Sequence, residues 1–269
     1  MLVIVIGVLG FSANLFSIQT QQAEFGQAQN IIVNFADGID DIASREGAST
    51  YVRLNIRAGG PVWNYNFDTI LVKVSIYNQT DYIVLLNGTL QALTYRAGSQ
   101  IGTGSFAILR GVNDSAVFNN AHPLGRVSTA QVNGAYITLD YARVGVSDLG
   151  FMNVSKGLGG GYDYINIVQV NLINLTFGSS TGGASTFAVA TNVDMVVKTY
   201  RLNFSSVTPL PSYNLWFNIT LGSRSNMMDS YTLPVRVGSV FDGYSNSTVP
   251  VDVVLILITP QIRIDFIGG

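Results

Sequence analysis

The 269 residues are long enough for one sizeable core, or for a long helix followed by one domain. Hydrophobic residues make up 48% of the chain and charged ones only 11%, against about 25% charged in ordinary soluble domains, so a free copy has little charge to keep it from associating. A net charge of -2 gives no field that would recruit nucleic acid, and the absence of cysteine excludes disulfides, iron–sulfur clusters and cysteine zinc sites.

The chain opens with MLVIVIGVLGFSANLFSI, Met1 to Ile18, in which only Ser12, Asn14 and Ser17 are polar; the first charged residue is Glu24. As a helix this run measures about 27 Å, close to the roughly 30 Å of a bilayer core, so it can span a membrane. It has no basic segment in front and no small-residue cleavage pattern behind, and it does not read as a secretory signal peptide. Beyond it, Phe25, Ala28, Ile32, Phe35, Ile39 and Ile42 recur every three or four residues among Gln22, Gln27, Asn30, Asp37 and Asp40. That spacing predicts one amphipathic continuation of the same helix, ending near Gly47 after Ser44, Arg45 and Glu46. Residues 1 to about 45 then form a rod of about 68 Å.

From Tyr51 the pattern changes to period two. The runs 51–57, 69–77, 82–95, 105–110, 135–144, 164–177, 186–204, 213–221, 231–240 and 249–258 are rich in Val, Ile, Thr, Tyr and Phe, with Gly, Asn, Asp, Ser or Pro between most of them. The fold class expected is α+β: a long N-terminal hydrophobic α-helix, residues 1–47, followed by an all-β domain, 48–269, most simply an Ig-like β-sandwich. The runs 82–95 and 186–204 exceed usual strand length, which predicts a bend or an internal turn in each.

Chemistry-bearing residues are sparse. The single histidine, His122, sits in the turn sequence Asn119-Asn120-Ala121-His122-Pro123, so any Ser-His-Asp site or histidine metal site would have to be built around it; a surface-loop residue is the simpler reading. Asp37, Asp40 and Asp41, with Glu46 beyond, form the nearest approach to an acidic constellation, and Asp37 and Asp41 share a helix face. They read as the solvated end of a helix. Lys156 to Gly161, KGLGGG, lacks the lysine and hydroxyl order of a phosphate-binding loop and precedes a strand, so it reads as a connection. The 13 tyrosines and 14 phenylalanines fall mostly on strand positions, where packing explains them, and a sugar-binding surface stays open as an alternative. No catalytic residue, cofactor site or metal site is expected.

One motif exceeds background. Asn-X-Ser/Thr occurs at Asn78, Asn87, Asn113, Asn153, Asn174, Asn203, Asn218 and Asn246, about twice what chance gives for this composition. Glycans there would supply the solubilising surface that the few charges do not. Asn174 lies within an apolar strand and is the least suitable of them.

An uncharged N-terminal helix that runs unbroken into an amphipathic half and then into an all-β domain resembles archaeal type IV pilins and archaellins. The resemblance rests on residues 1 to about 47: MLVIVIGVLGF, the junction Gln19 to Gln22, and AEFGQAQNIIVNFADGIDDIA. The β domain shares only its class. The resemblance implies a precursor whose short basic leader is cut by a prepilin peptidase, a helix held in the membrane, and extraction by pilus assembly machinery into a helical homopolymer. The residues it places in the filament core are Met1, Leu2, Val3, Ile4, Val5, Ile6, Val8, Leu9, Phe11, Leu15, Phe16, Ile18, Phe25, Ile32, Phe35 and Ile39, with the β domain outside. No Lys/Arg-Gly site precedes Met1, so the numbering is expected to begin at or near the mature end, and Val5 stands where many bacterial pilins carry an acid.

Elementary physics points the same way, because a helix apolar all round must be buried on every side by a membrane or by other copies. The expectation is therefore a non-enzymatic, extracellular, adhesive filament subunit. The rotating archaellin, the membrane-anchored monomer that binds sugar and the anchored hydrolase are its alternatives.

Overall fold

A computed structural model of the chain describes residues 2–55, 59–76, 82–98, 101, 106–112, 114–119, 123–130, 134–155, 162–181, 185–203, 213–222, 227–235 and 251–268. The α+β expectation holds. One helix, α1 (Leu2–Ile42), is followed by β1 (Ser49–Asn55), β2 (Gly60–Ile76), β3 (Tyr82–Arg96), β4 (Ala107–Arg110), β5 (Val117–Asn119), β6 (Arg126–Ala130) and β7 (Tyr136–Asp140). Then come β8 (Val144–Ser155), β9 (Tyr162–Asn171), β10 (Asn174–Thr181), β11 (Ser185–Asn203), β12 (Tyr213–Leu221), β13 (Met227–Val235) and β14 (Val251–Gly268).

The strands form two seven-stranded sheets. The first runs β1-β11-β14-β9-β8-β5, with β10 also on β14; the second runs β13-β12-β2-β3-β7-β6-β4. Parallel pairs occur only in the first sheet, β14 with β9, β14 with β10, and β5 with β8, among the described residues. The run 164–177 is thus two strands, broken at Leu172–Ile173, that take successive halves of one edge of β14. The long runs contain irregularities rather than turns: β11 bulges between Asn192 and Asp194, and β3 slips against β2 near Leu85.

Strand β14 explains the architecture. In its first half Val253, Leu255 and Leu257 are buried; in its second half Ile262, Ile264 and Phe266 are. Side chains alternate faces along a strand, and β14 keeps an unbroken register from β9 to β10. The odd and even sets therefore lie on opposite faces. The first set joins a core with Val168 and Val170 of β9, Ile70, Val72 and Val74 of β2, and Phe217 and Ile219 of β12. The second set joins a separate core with Leu175 of β10, Ala188 and Ala190 of β11, Leu93 and Tyr95 of β3, and Ile137 and Leu139 of β7.

The β11 bulge makes the same switch, carrying that strand's inward face from Ala188 and Ala190 to Tyr200 and Leu202. The first sheet thus buries one face at one end and the other face at the other end, and β3 of the second sheet likewise divides, with Leu85 and Leu90 in the first core and Leu93 and Tyr95 in the second. The rear half of α1 fills the second core, with Phe25, Ala28, Ile32, Phe35, Ala36, Ile39 and Ile42 all turned inward.

Candidate functional site

The helix is one continuous element of 41 residues, about 62 Å long, but its two halves stand in different surroundings. In the rear half Ile32 is 1%, Phe35 1% and Ile39 0% exposed; in the front half Ile6 is 61%, Phe11 71% and Phe16 69% exposed. Ile4, Val5, Val8, Leu9 and Leu15 are exposed as well, and Ile18 is half-buried. Leu2 and Val3 are helical positions, and Met1 lies outside the described residues. Length and composition alone make this helix capable of crossing a membrane, and none of its most apolar stretch is covered by the rest of the chain.

This arrangement corrects one part of the sequence reading. Phe25, Ile32, Phe35 and Ile39 were expected to face other copies, yet they are consumed by the chain's own second core. An amphipathic stripe has one apolar side, and here the domain's two sheets take it.

Polar contacts fix the rear half in place. The Arg110 guanidinium, on β4, bridges two helix acids, with Nε 2.8 Å from Asp37 Oδ1 and Nη2 2.6 Å from Asp40 Oδ2. The Tyr141 hydroxyl donates to the Ala36 carbonyl at 3.1 Å. Burial raises the Asp40 carboxyl above its ordinary value although Arg110 opposes the shift, and burial, with Asp40 nearby, raises the Tyr141 phenol well above its own. At the helix end the Asn192 amide donates to the Ile42 and Ala43 carbonyls, at 3.1 and 3.2 Å, satisfying acceptors that a helix C-terminus leaves open. The backbone then turns through Gly47, whose positive φ of 77° suits glycine, and its amide donates to the Asn192 carbonyl at 2.8 Å. Gly38 lies against β1: a Cβ there would fall 2.5 Å from the Thr50 hydroxyl. Where the helix leaves the domain, Tyr95 Oη donates to Glu24 Oε1 at 3.3 Å.

These contacts also dispose of the acidic constellation. Asp37 and Asp40 share Arg110, and Asp41 pairs with Arg45. Among the described residues no group of three or more acids or histidines is placed to hold a metal. His122 and Lys156 to Gly161 lie outside the described residues.

A second charged group was not legible in the sequence. Asp140, Asp68 and Arg143 are buried where the chain passes from the second core at Tyr141 to the first at Ala142. Arg126 Nη2 lies 2.8 Å from Asp140 Oδ2, while Arg143 Nε donates to the Val112 carbonyl at 3.3 Å. Burial, reinforced by Arg126 nearby, lowers the Arg143 guanidinium to about 10. Arg126, Asp140 and Arg143 lie close in sequence, on β6, β7 and the connection to β8, whereas Asp68 comes from the distant β2, and together they cross the seam between the cores.

The sequons divide by accessibility. Asn87 is exposed, on the same outer face of the second sheet as half-buried Asn218, through the pairs Leu71–Asn87 and Lys73–Asn218. The Asn174 amide is taken by Gln261 Oε1 at 2.6 Å. Asn153 and Asn203 are strand positions, and Asn78, Asn113 and Asn246 lie outside the described residues. Aromatic side chains cluster by packing: Phe177 lies 5.6 Å from Trp63, 5.8 Å from Tyr65 and 6.2 Å from Phe266, centroid to centroid.

Comparison with known proteins found no family model that matches the chain, no similar curated protein and no similar solved structure.

Proposed function

We propose that this chain is a structural subunit of an extracellular filament, assembled by burying the bare front half of its N-terminal helix against other copies. One observation carries the reading: a single rigid helix whose rear half is locked into a folded domain while its front half is apolar and uncovered. Each large apolar side chain removed from water contributes about 1.5–3 kcal/mol, so the eight exposed residues from Ile4 to Phe16 supply ample drive for association. The rear-half anchorage suits load transfer from a helical core to an outer domain, a use that a simple membrane tether does not require. Before assembly the same front half would rest in a membrane. The chain acts by polymerising, without chemistry or cofactor, and displays the β domain for adhesion.

The test is electron microscopy of material sheared from the native cell surface, with mass spectrometry of its main band. Helically ordered filaments made of this chain are expected. Recovery of only detergent-soluble monomers would overturn the proposal in favour of an anchored surface protein.

A further inference from the structure

The face of the first sheet that receives α1 is only partly used. Ile262 and Ile264 of β14 are buried in the core that the rear half of α1 fills, whereas Val254, Ile256 and Ile258, on the same face of the same strand, remain partly exposed. Direct pairing puts Ile167 of β9 beside Val254, and Val197 of β11 beside Ile258, where it is 55% exposed. The ion pair of Arg201 with Asp252 lies at the far end of this stretch of β11 and β14 and neutralises itself. A groove of about 500 Å³ begins where α1 stops, between Ala43 and Ser44 on the helix and Ile258, Pro260 and Met195 on the sheet.

We infer that this uncovered face is the seat for the front half of α1 from a second copy of the chain, laid in line with the resident helix. Three observations select that occupant. The same face of β11 and β14 already takes the rear half of α1, so its curvature and apolar surface suit a helix. The lengths match: β14 from Val251 to Ile258 spans about 26 Å, and the uncharged helix from Leu2 to Gln21 spans about 30 Å. Around Ile256 and Ile258 the strip is mixed but uncharged, with Gln169 and Thr199 beside Ile256 and Asn171 beside Ile258, so a helix laid there removes no charge from water. A helix apolar all round still has other sides for neighbouring helices. Contact between the front of one copy and the back of the next does not close on itself and therefore propagates as a filament.

This inference rests on the filament reading and sharpens it by naming the subunit contact. The chain has no native cysteine, so introduced thiols report unambiguously. Ile256→Cys is combined in turn with Val5→Cys, Leu9→Cys and Phe16→Cys in the full chain, and assembled filaments are treated with a short bismaleimide. A ladder of dimers, trimers and higher species is expected from at least one combination. The same helix cysteines combined with Asn87→Cys, on the other sheet's outer face, should give nothing beyond the single-cysteine background. Filaments that assemble but never crosslink through Ile256→Cys would overturn this inference alone. A wild-type chain that forms no polymer would overturn the filament reading with it. Independently, Ile256→Lys should keep the wild-type melting temperature and lower filament yield at least tenfold; an unchanged yield counts against the inference.

Discussion

The two halves of α1 differ in apolar density, nine of the thirteen residues from Ile4 to Phe16 against nine of the eighteen from Phe25 to Ile42, and they have opposite fates. From Phe25 to Ile42 the apolar residues fall on one side, so a single domain can cover them, and two sheets do. From Ile4 to Phe16 they surround the axis, so no contact with one domain could bury them all, and they stay bare. The angular distribution of apolar residues, together with their density, separates the half that folds with its own chain from the half that must find another environment.

That contrast breaks most sharply in the front half. Leu9→Asp places a carboxylate where every side of the helix must be buried, which costs several kcal/mol per copy. Filaments should disappear under microscopy while the isolated subunit in detergent keeps its unfolding free energy to within about 0.5 kcal/mol. The reverse pattern is expected from Phe35→Ala, which leaves a cavity in the second core and should lower unfolding free energy by about 3–5 kcal/mol in denaturant titration. If Leu9→Asp destabilised the domain as much as Phe35→Ala, the division between the halves would be wrong.

Smaller effects sharpen how the rear half is held. Arg110→Met removes the partner of Asp40, whose carboxylate is mostly buried, and should cost about 1–3 kcal/mol. Asp37 is largely exposed and contributes little to that figure. Replacing both Asp40 and Arg110 by apolar residues should recover most of the loss, which a double-mutant cycle would measure.

The smallest expected effect concerns pH. The folded-state value of Asp40 is raised, so between the ordinary 3.8 and that raised value the folded chain binds more protons than the unfolded one. Its contribution to stability is therefore full below pH 3.8 and falls as pH rises through the raised value. Asp229 runs the other way. Burial would raise its carboxyl, but hydrogen bonds from Ser115 and from the Ala116, Val117 and Ser230 amides bring it below 3.8, so its contribution is lost as pH falls below that value. Stability measured between pH 3 and 6 should lose its downward slope on the alkaline side in Asp40→Asn and its acid loss in Asp229→Asn. A slope that survives Asp40→Asn would assign it to another group.

The helix was legible in the sequence because its two signals are local: an uncharged run, then a period near 3.6. Strand existence was legible for the same reason, since period-two runs of Val, Ile, Thr and Tyr need no knowledge of partners. Strand extent was not. The period-two run was read as ending at residue 258, yet β14 continues to Gly268, because the switch between cores occurs at Thr259–Pro260 and the strand simply turns its other face inward. Gly60 to Asp68 of β2 and the short strands β5 and β6 went unseen because they are brief or interrupted by Gly, Pro, Asn and Asp, and it is the pairing with a neighbouring strand that makes them extended.

The sequence by itself determined the class of fold, the length of the helix and the scarcity of chemistry, because each follows from residue type and spacing along the chain. Only the tertiary structure decided which apolar residues remain outside. Whether Ile39 or Leu9 is covered depends on where two sheets that exchange faces come to lie, and that depends on pairings such as Asn192 with Ile262, 70 positions apart.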